Sequence, residues 1–192
     1  MRLPARIYQQ CDAPPARPEP AEAFGGARSV DVELAPAHTA LVVMHAWDCQ
    51  QPGDYPGWDR VVEYRTRART ILRDVFPPLL AAVRRSPLPV FHVVGGNDAY
   101  YRDLPGYRRA RELAGPATTT TPVSPDPAYA ALQRLRREQV VPGVRNAPDI
   151  AAGFARLDFA AEARPLESEG IAENGAQLAA LCRAHGVNHL VY

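Results

Sequence analysis

The chain has 192 residues, of which 46% are hydrophobic and 22% charged, so it can bury one sizeable core. A net charge of +1 gives no bulk field that favours nucleic acid, and no apolar run approaches the ~20 residues of a membrane span. The N-terminus lacks the apolar stretch of a signal peptide, and the three cysteines lack metal-ligand spacing. We therefore expect a cytoplasmic protein that contacts neither nucleic acid nor membrane.

All 22 basic residues are arginine, because the sequence contains no lysine. No residue can therefore act as a lysine base, a Schiff-base amine or a lysine phosphate clamp. The glycine-rich motifs that bind dinucleotides or phosphates are also missing. We expect no cofactor.

The first half of the chain predicts two buried strands joined by helices. Residues 11–30 are rich in Pro, Ala and Gly and predict an extended arm or loose tail, within an N-terminal extension over residues 1–37. The run "ALVVM" within 38–48 predicts the first buried strand, and helical spacing follows over 59–75. "PLLAAVRRS" restarts a helix at a proline, and "LPVFHVVGG" at 88–96 predicts the second strand.

The second half predicts longer irregular stretches before a last helix and strand. Residues 97–125 and 142–156 read as loops, with a helix that starts at Asp126-Pro127 between them, and 157–168 hold a short third strand. "ENGAQLAALCRAH" predicts a helix that ends at Gly186, and "VNHLVY" predicts the last strand. This order predicts an α/β domain over 38–192, an open parallel sheet with helices on both faces. The 39–45 strand is expected between the 89–94 and 187–192 strands.

Three segments in this order, "TALVVMHAWDCQ", "PVFHVVGG" and "AQLAALCRAHGVNHLVY", resemble the strand and helix motifs of the isochorismatase-like cysteine hydrolases. The resemblance covers residues 38–192 with gaps. It implies a Rossmann-like three-layer α/β fold. It also implies that the full-length parent hydrolyses an amide, carbamoyl or vinyl-ether bond in a small-molecule substrate.

The resemblance also implies which residues are catalytic. The family's strand-one aspartate aligns with His45, with Asp48 three residues further on as a partial substitute, and its lysine aligns with Glu167. A histidine can act as a base near neutral pH, whereas Glu167 has the wrong charge to replace a lysine. We expect these three side chains to face one cleft at the carboxyl edge of the sheet.

The family's nucleophilic cysteine lies in a loop after the strand that "NHLVY" resembles. This chain ends at that point. The resemblance therefore implies a truncated sequence without its C-terminal strands, inactive as a cysteine hydrolase. The unpaired apolar edge would make the isolated chain marginally stable, prone to aggregate, or a homo-oligomer.

Further candidates lie near the predicted strand ends, where open α/β sheets bind ligands. His92, Asp98 and Trp47 are the predicted substrate-binding residues, although core packing explains His92 and Trp47 as well. No metal site is expected, since the family's metal motif is missing. Cys49 follows the first strand but reads as a small non-catalytic residue.

Two other interpretations stay open at this point. The chain can be a non-catalytic isochorismatase-like module for binding or assembly, or an unrelated open α/β ligand-binding domain.

Overall fold

The computed structural model describes residues 1–9, 26–51, 53–117 and 121–192. Within these residues the strands are β1 (Arg2–Gln9), β2 (Gly26–Glu33), β3 (Thr39–Met44), β4 (Val90–Val93), β5 (Gly170–Ala172) and β6 (His189–Val191). The helices are α1 (Pro56–Val61), α2 (Arg65–Asp74), α3 (Phe76–Arg84), α4 (Pro105–Ala114), α5 (Pro127–Leu135), α6 (Ala147–Ala155) and α7 (Gly175–Ala184). None of these helices is long and apolar enough to cross a membrane.

Four strands form a parallel sheet in the order β5-β4-β3-β6. Leu41 of β3 is in register with Val90 of β4, and Ala40 with Leu190 of β6, which confirms the predicted position of the first strand between the other two. Counted along the sequence within this sheet, the order is third, second, first, fourth, which matches the first four positions of the doubly wound order 3-2-1-4-5-6. The strand order therefore reverses beside β3.

Strand β3 is buried on both faces because helices cover both sides of the sheet. Leu41 packs with Leu80 of α3 in one cluster, and Ala40 packs with Leu181 of α7 in another. A strand covered in this way needs apolar residues at every position, which explains the unbroken run "ALVV". The α/β class with a parallel sheet and helices on both faces is confirmed.

Three predicted segments were wrong in detail. The single helix predicted over 59–75 is two helices, because the backbone of Val62 leaves the helical conformation between α1 and α2, at φ −125° and ψ 80°. The loop predicted over 97–125 contains α4, whose Tyr107 and Ala110 are buried one turn apart. The irregular stretch over 142–156 contains α6.

The third strand of the sheet also lies elsewhere than predicted. Residues 157–168 contribute only an isolated bridge between Phe159 and Trp47, and the strand itself is β5, three residues long. A strand this short has no period to detect.

The N-terminal residues form a sheet of their own. Strands β1 and β2 pair antiparallel along their whole length, from Arg2 opposite Glu33 to Gln9 opposite Gly26. The prediction of an extended arm or loose tail over 11–30 is therefore wrong for 26–30, which belong to β2, and otherwise falls on residues 11–25, outside the described part of the chain.

Helix α4 lies against β5 at a position that only glycine fits. A Cβ added at Gly106 would lie 2.1 Å from the carbonyl oxygen of Glu169, which is main chain and cannot turn away. The absence of a side chain at Gly106 therefore sets the distance between α4 and the sheet.

Gly106→Ala is expected to lower the free energy of unfolding by about 3 kcal/mol, because the helix must move off the strand to admit the methyl group. Urea unfolding measures this change. Gly175→Ala is the matched control, since Gly175 also lies in the first turn of a helix but has no atom within 4 Å of an added Cβ. Equal stabilities of the two variants would contradict the close approach of α4.

Candidate functional site

A cavity of about 700 Å³ opens at the carboxyl end of β3, and we call it the edge cavity. Its lining residues come from the β3 end and the loop that follows (44–49), from α1 through α3 (58–76), and from the region of α6. They are Met44, His45, Ala46, Trp47, Asp48, Cys49, Trp58, Val61, Val62, Tyr64, Arg65, Ala68, Ile71, Leu72, Phe76, Val141, Pro142, Ile150 and Phe154. Three predicted site residues, His45, Trp47 and Asp48, thus lie together.

His45 is the first residue after β3, and its backbone is in the left-handed region at φ 49°. Such a conformation in a residue other than glycine costs roughly 1–3 kcal/mol, and strained residues of this kind cluster at functional sites. The amide of His45 still donates to the carbonyl of Val93 at 2.9 Å, so the chain leaves the sheet abruptly after a last ladder bond. The turn directs the chain from the strand into the cavity wall.

The His45 imidazole stacks on the indole of Trp47, with ring centroids 4.7 Å apart and planes 7° from parallel. Partial burial lowers the pKa of His45 below its usual value of 6.5. The ring is therefore neutral at pH 7, with one nitrogen that donates and one that accepts a hydrogen bond. A neutral imidazole can orient a polar ligand group or take up a proton.

Arg65, at the start of α2, holds the loop after β3 in place although only 3% of it is exposed. Its guanidinium donates to the carbonyl of Cys49 at 2.6 Å and to the carboxylate of Asp59 at 2.6 Å. The same group lies 4.4 Å from the centre of the Trp58 ring. One buried cation therefore joins the loop, α1 and α2.

Arg69, one turn further along α2, holds the next residues of the loop. It donates to the carbonyls of Gln50 at 2.7 Å, Cys49 at 3.1 Å and Gln51 at 3.2 Å. These carbonyls have no strand partner, so the two arginines supply the hydrogen bonds that the loop needs. Neither role was predictable from the sequence, because arginines between the apolar positions of 59–75 fit the polar face of any helix equally well.

Asp48 is exposed at the rim of the edge cavity. Its carboxylate accepts hydrogen bonds from the amide of Gln50 at 2.8 Å and from the side chain of Gln50 at 3.1 Å. The carboxylate thus stabilises the turn of the loop and places a negative charge at the mouth of the cavity.

Cys49 also lines the edge cavity, but its thiol is not activated. Burial raises the pKa of Cys49, and the opposing effect of the nearby Arg65 and Arg69 charges does not reverse the shift. A nucleophilic cysteine needs the opposite shift, since the thiolate is the reactive form.

Trp47 and Asp98 occupy different positions near the carboxyl edge. The Trp47 indole lines the cavity and donates to the hydroxyl of Tyr100 at 2.8 Å. Asp98 begins a short 3-10 turn, has a side chain that is about half exposed, pairs with Arg102 and lies outside the cavity lining.

His92 lies within β4 instead of at its end, and only 1% of it is exposed. Its Nε2 lies 2.9 Å from the carboxylate of Glu169, which also accepts two hydrogen bonds from Arg84 at 2.7 and 3.0 Å. Burial alone would raise the pKa of Glu169, but the bonds from His92, Arg84 and the Leu166 amide hold it at about 2. This position makes His92 a core residue, outside the edge cavity.

Glu167 lies three residues before β5, whereas His45 and Asp48 follow β3. Because the strands are parallel and Gly170 is in register with Phe91, the residues before β5 lie at the amino edge of the sheet. The prediction that His45, Asp48 and Glu167 face one cleft is therefore wrong. The body of the sheet separates Glu167 from the other two.

Comparisons of the chain with protein-family models, curated proteins and solved structures found no match. The isochorismatase-like resemblance therefore stays a prediction. Among the described residues, no group of three or more His, Cys, Asp or Glu side chains is placed to hold a metal ion.

Arg65→Met keeps most of the alkyl chain but removes the guanidinium, and so leaves Asp59 and the Cys49 carbonyl without their buried donor. We expect the free energy of unfolding to fall by about 3 kcal/mol. Urea unfolding followed by tryptophan fluorescence measures the change and reports on Trp58, which the guanidinium covers.

Arg67→Met is the control, because Arg67 is exposed on the same helix and pairs with the exposed Glu63 four residues before it. This exposed pair contributes at most about 0.5 kcal/mol. An Arg65→Met variant as stable as Arg67→Met would show that the loop does not depend on the buried cation.

Proposed function

We propose that this chain binds a small, largely apolar molecule in the edge cavity. The observation that carries the proposal is the position of this cavity at the carboxyl end of β3, beside the point where the strand order reverses. Open α/β sheets bind their ligands at such switch points. The volume of about 700 Å³ falls within the range of roughly 300–1,000 Å³ that small-molecule sites occupy.

The walls of the edge cavity support a ligand with a large apolar surface. Trp58 and Phe154 lie with ring centroids 5.2 Å apart, and Trp47 meets Phe154 edge-on at 6.0 Å. At the mouth, Tyr64 and Ile71 are about half exposed, at 56% and 46%. Apolar side chains left open around a concave surface are typical of binding sites.

Two polar groups are placed to orient such a ligand. The neutral imidazole of His45 offers one donor and one acceptor, and Asp48 offers a carboxylate at the rim. A few polar groups in a mostly apolar lining are the usual composition of a specific small-molecule site.

Hydrolysis is the second candidate function, favoured by the left-handed, neutral His45 at the strand end. An isochorismatase-like hydrolase would place an amide, carbamoyl or vinyl-ether bond in the edge cavity. His45 would then accept a proton from the attacking water, since the Cys49 thiol is protonated. Turnover that His45→Ala abolishes without a change in ligand affinity would favour this candidate over binding alone.

Binding is tested with Nile red, an uncharged apolar dye whose emission rises in an apolar site. Ala68→Trp places an indole inside the edge cavity from α2 and is expected to weaken dye binding at least about tenfold, because the dye loses the volume it occupies. Fluorescence titration of the dye measures both affinities.

Ala81→Trp is the matched control, since Ala81 is exposed on α3 and does not line the cavity. It should leave the affinity for Nile red unchanged. An unmutated chain that does not bind the dye would overturn the proposed function, as would an Ala68→Trp variant that binds it as well as the control.

A further inference from the structure

The charge of the edge cavity restricts what it can bind. Among the described residues that line it, Arg65 is the only guanidinium or ammonium group. This group is already engaged by the carboxylate of Asp59 at 2.6 Å and by the carbonyls of Cys49 at 2.6 Å and Tyr55 at 3.4 Å. With Trp58 below it and only 3% of the residue exposed, Arg65 has little capacity left for an anionic ligand.

The neighbouring arginine does not change this conclusion. Arg69 is outside the lining and donates to three successive carbonyls of the loop. Its guanidinium also lies 3.7 Å from Asp59, so the two arginines together bind one carboxylate and four main-chain oxygens, those of Cys49, Gln50, Gln51 and Tyr55. Freeing either cation for a ligand would release the loop that forms the cavity wall.

The remaining charged group at the cavity repels anions. Asp48 stands exposed at the rim, and its hydrogen bonds come from the uncharged amide and side chain of Gln50. A ligand carboxylate would be repelled by this negative charge. It would also lose its hydration against an apolar wall that offers no free cation. Burial of an unpaired carboxylate is strongly unfavourable.

We infer that the edge cavity takes an uncharged aromatic molecule and discriminates against carboxylates of the same shape. The aromatic part rests on Trp47, Trp58 and Phe154, three neighbouring rings of the cavity wall against which a ligand ring can pack offset or edge-on. This inference depends on the proposed function, because it names the ligand class of the same cavity. It excludes substrates in which a carboxylate must enter the apolar part of the site.

Displacement of Nile red by three compounds of nearly equal shape tests the inference: acetophenone, which is uncharged, benzoate, which is an anion, and benzamidine, which is a cation. Acetophenone is expected to displace the dye. Benzoate should reach the same displacement only at a concentration at least about tenfold higher. Benzamidine, whose cation the Asp48 carboxylate at the rim attracts instead of repelling, should displace the dye at a lower concentration than benzoate. Benzoate competing as well as acetophenone or benzamidine, or no competition by acetophenone, would overturn the inference.

A variant that supplies the missing cation makes the test independent of absolute affinity. Ile71→Arg adds a guanidinium at the mouth of the cavity on a half-exposed position of α2. This variant should raise the affinity for benzoate, relative to that for acetophenone, by about tenfold or more. Ile7→Arg makes the same change on β1, at a residue that is 42% exposed, and should leave the ratio of the two affinities as it is in the unmutated chain.

The two proposals fail in different ways in this experiment. If the unmutated chain does not bind Nile red, the proposed function itself is overturned. Dye binding that Ala68→Trp weakens, combined with benzoate competing as well as acetophenone, keeps the binding site and overturns only its selectivity. An unchanged ratio in Ile71→Arg would show that charge at the cavity mouth does not decide which ligand binds.

Discussion

The guanidinium of Arg65 is the interaction on which the candidate site depends. A strand that ends inside a sheet leaves the carbonyls of the following loop without partners, and buried carbonyls must be paired. Arg65 pairs the Cys49 carbonyl while Asp59 balances its charge and Trp58 covers its face. Arg65 therefore holds the loop after β3 at a fixed distance from α2, and the space between the loop and the helix is the edge cavity.

The other walls follow from close contacts that only small residues allow. Trp58 of α1 packs against α6 at Gly153, where an added Cβ would be 2.3 Å from the indole. The amide of Gly57 donates to the carboxylate of Asp149 at 2.6 Å, which ties the start of α1 to α6. These contacts fix the indole that Arg65 covers, so the charged clamp and the apolar wall support each other.

The sequence predicted the parts of the fold that repeat a long apolar pattern. Strands β3 and β4, helix α7 and their order were predictable, because continuous apolar runs and helical spacing reflect burial on one or both faces. Strand β5 was not, since three residues carry no period. Helix α4 was hidden by the arginines between its buried residues Tyr107 and Ala110, and α6 was hidden because Gly153 is its one buried residue.

The site was predictable only where it follows a strand directly. His45, Trp47 and Asp48 were placed correctly beside one another, because residues after a parallel strand lie at its carboxyl edge. Glu167 was misplaced, since an alignment by spacing cannot show on which side of an undetected strand a residue lies. Glu169, two residues further on, is instead the carboxylate that pairs with His92 and Arg84 in the core.

The most direct test of the account uses the two tryptophans of the chain, Trp47 and Trp58, because both line the edge cavity. In an NMR titration with acetophenone, the account predicts that both indole N–H signals shift together and saturate, while the amides of β1 and β2 stay in place. Indole signals that do not move, or shifts confined to β1 and β2, would contradict the claim that this cavity is the binding site.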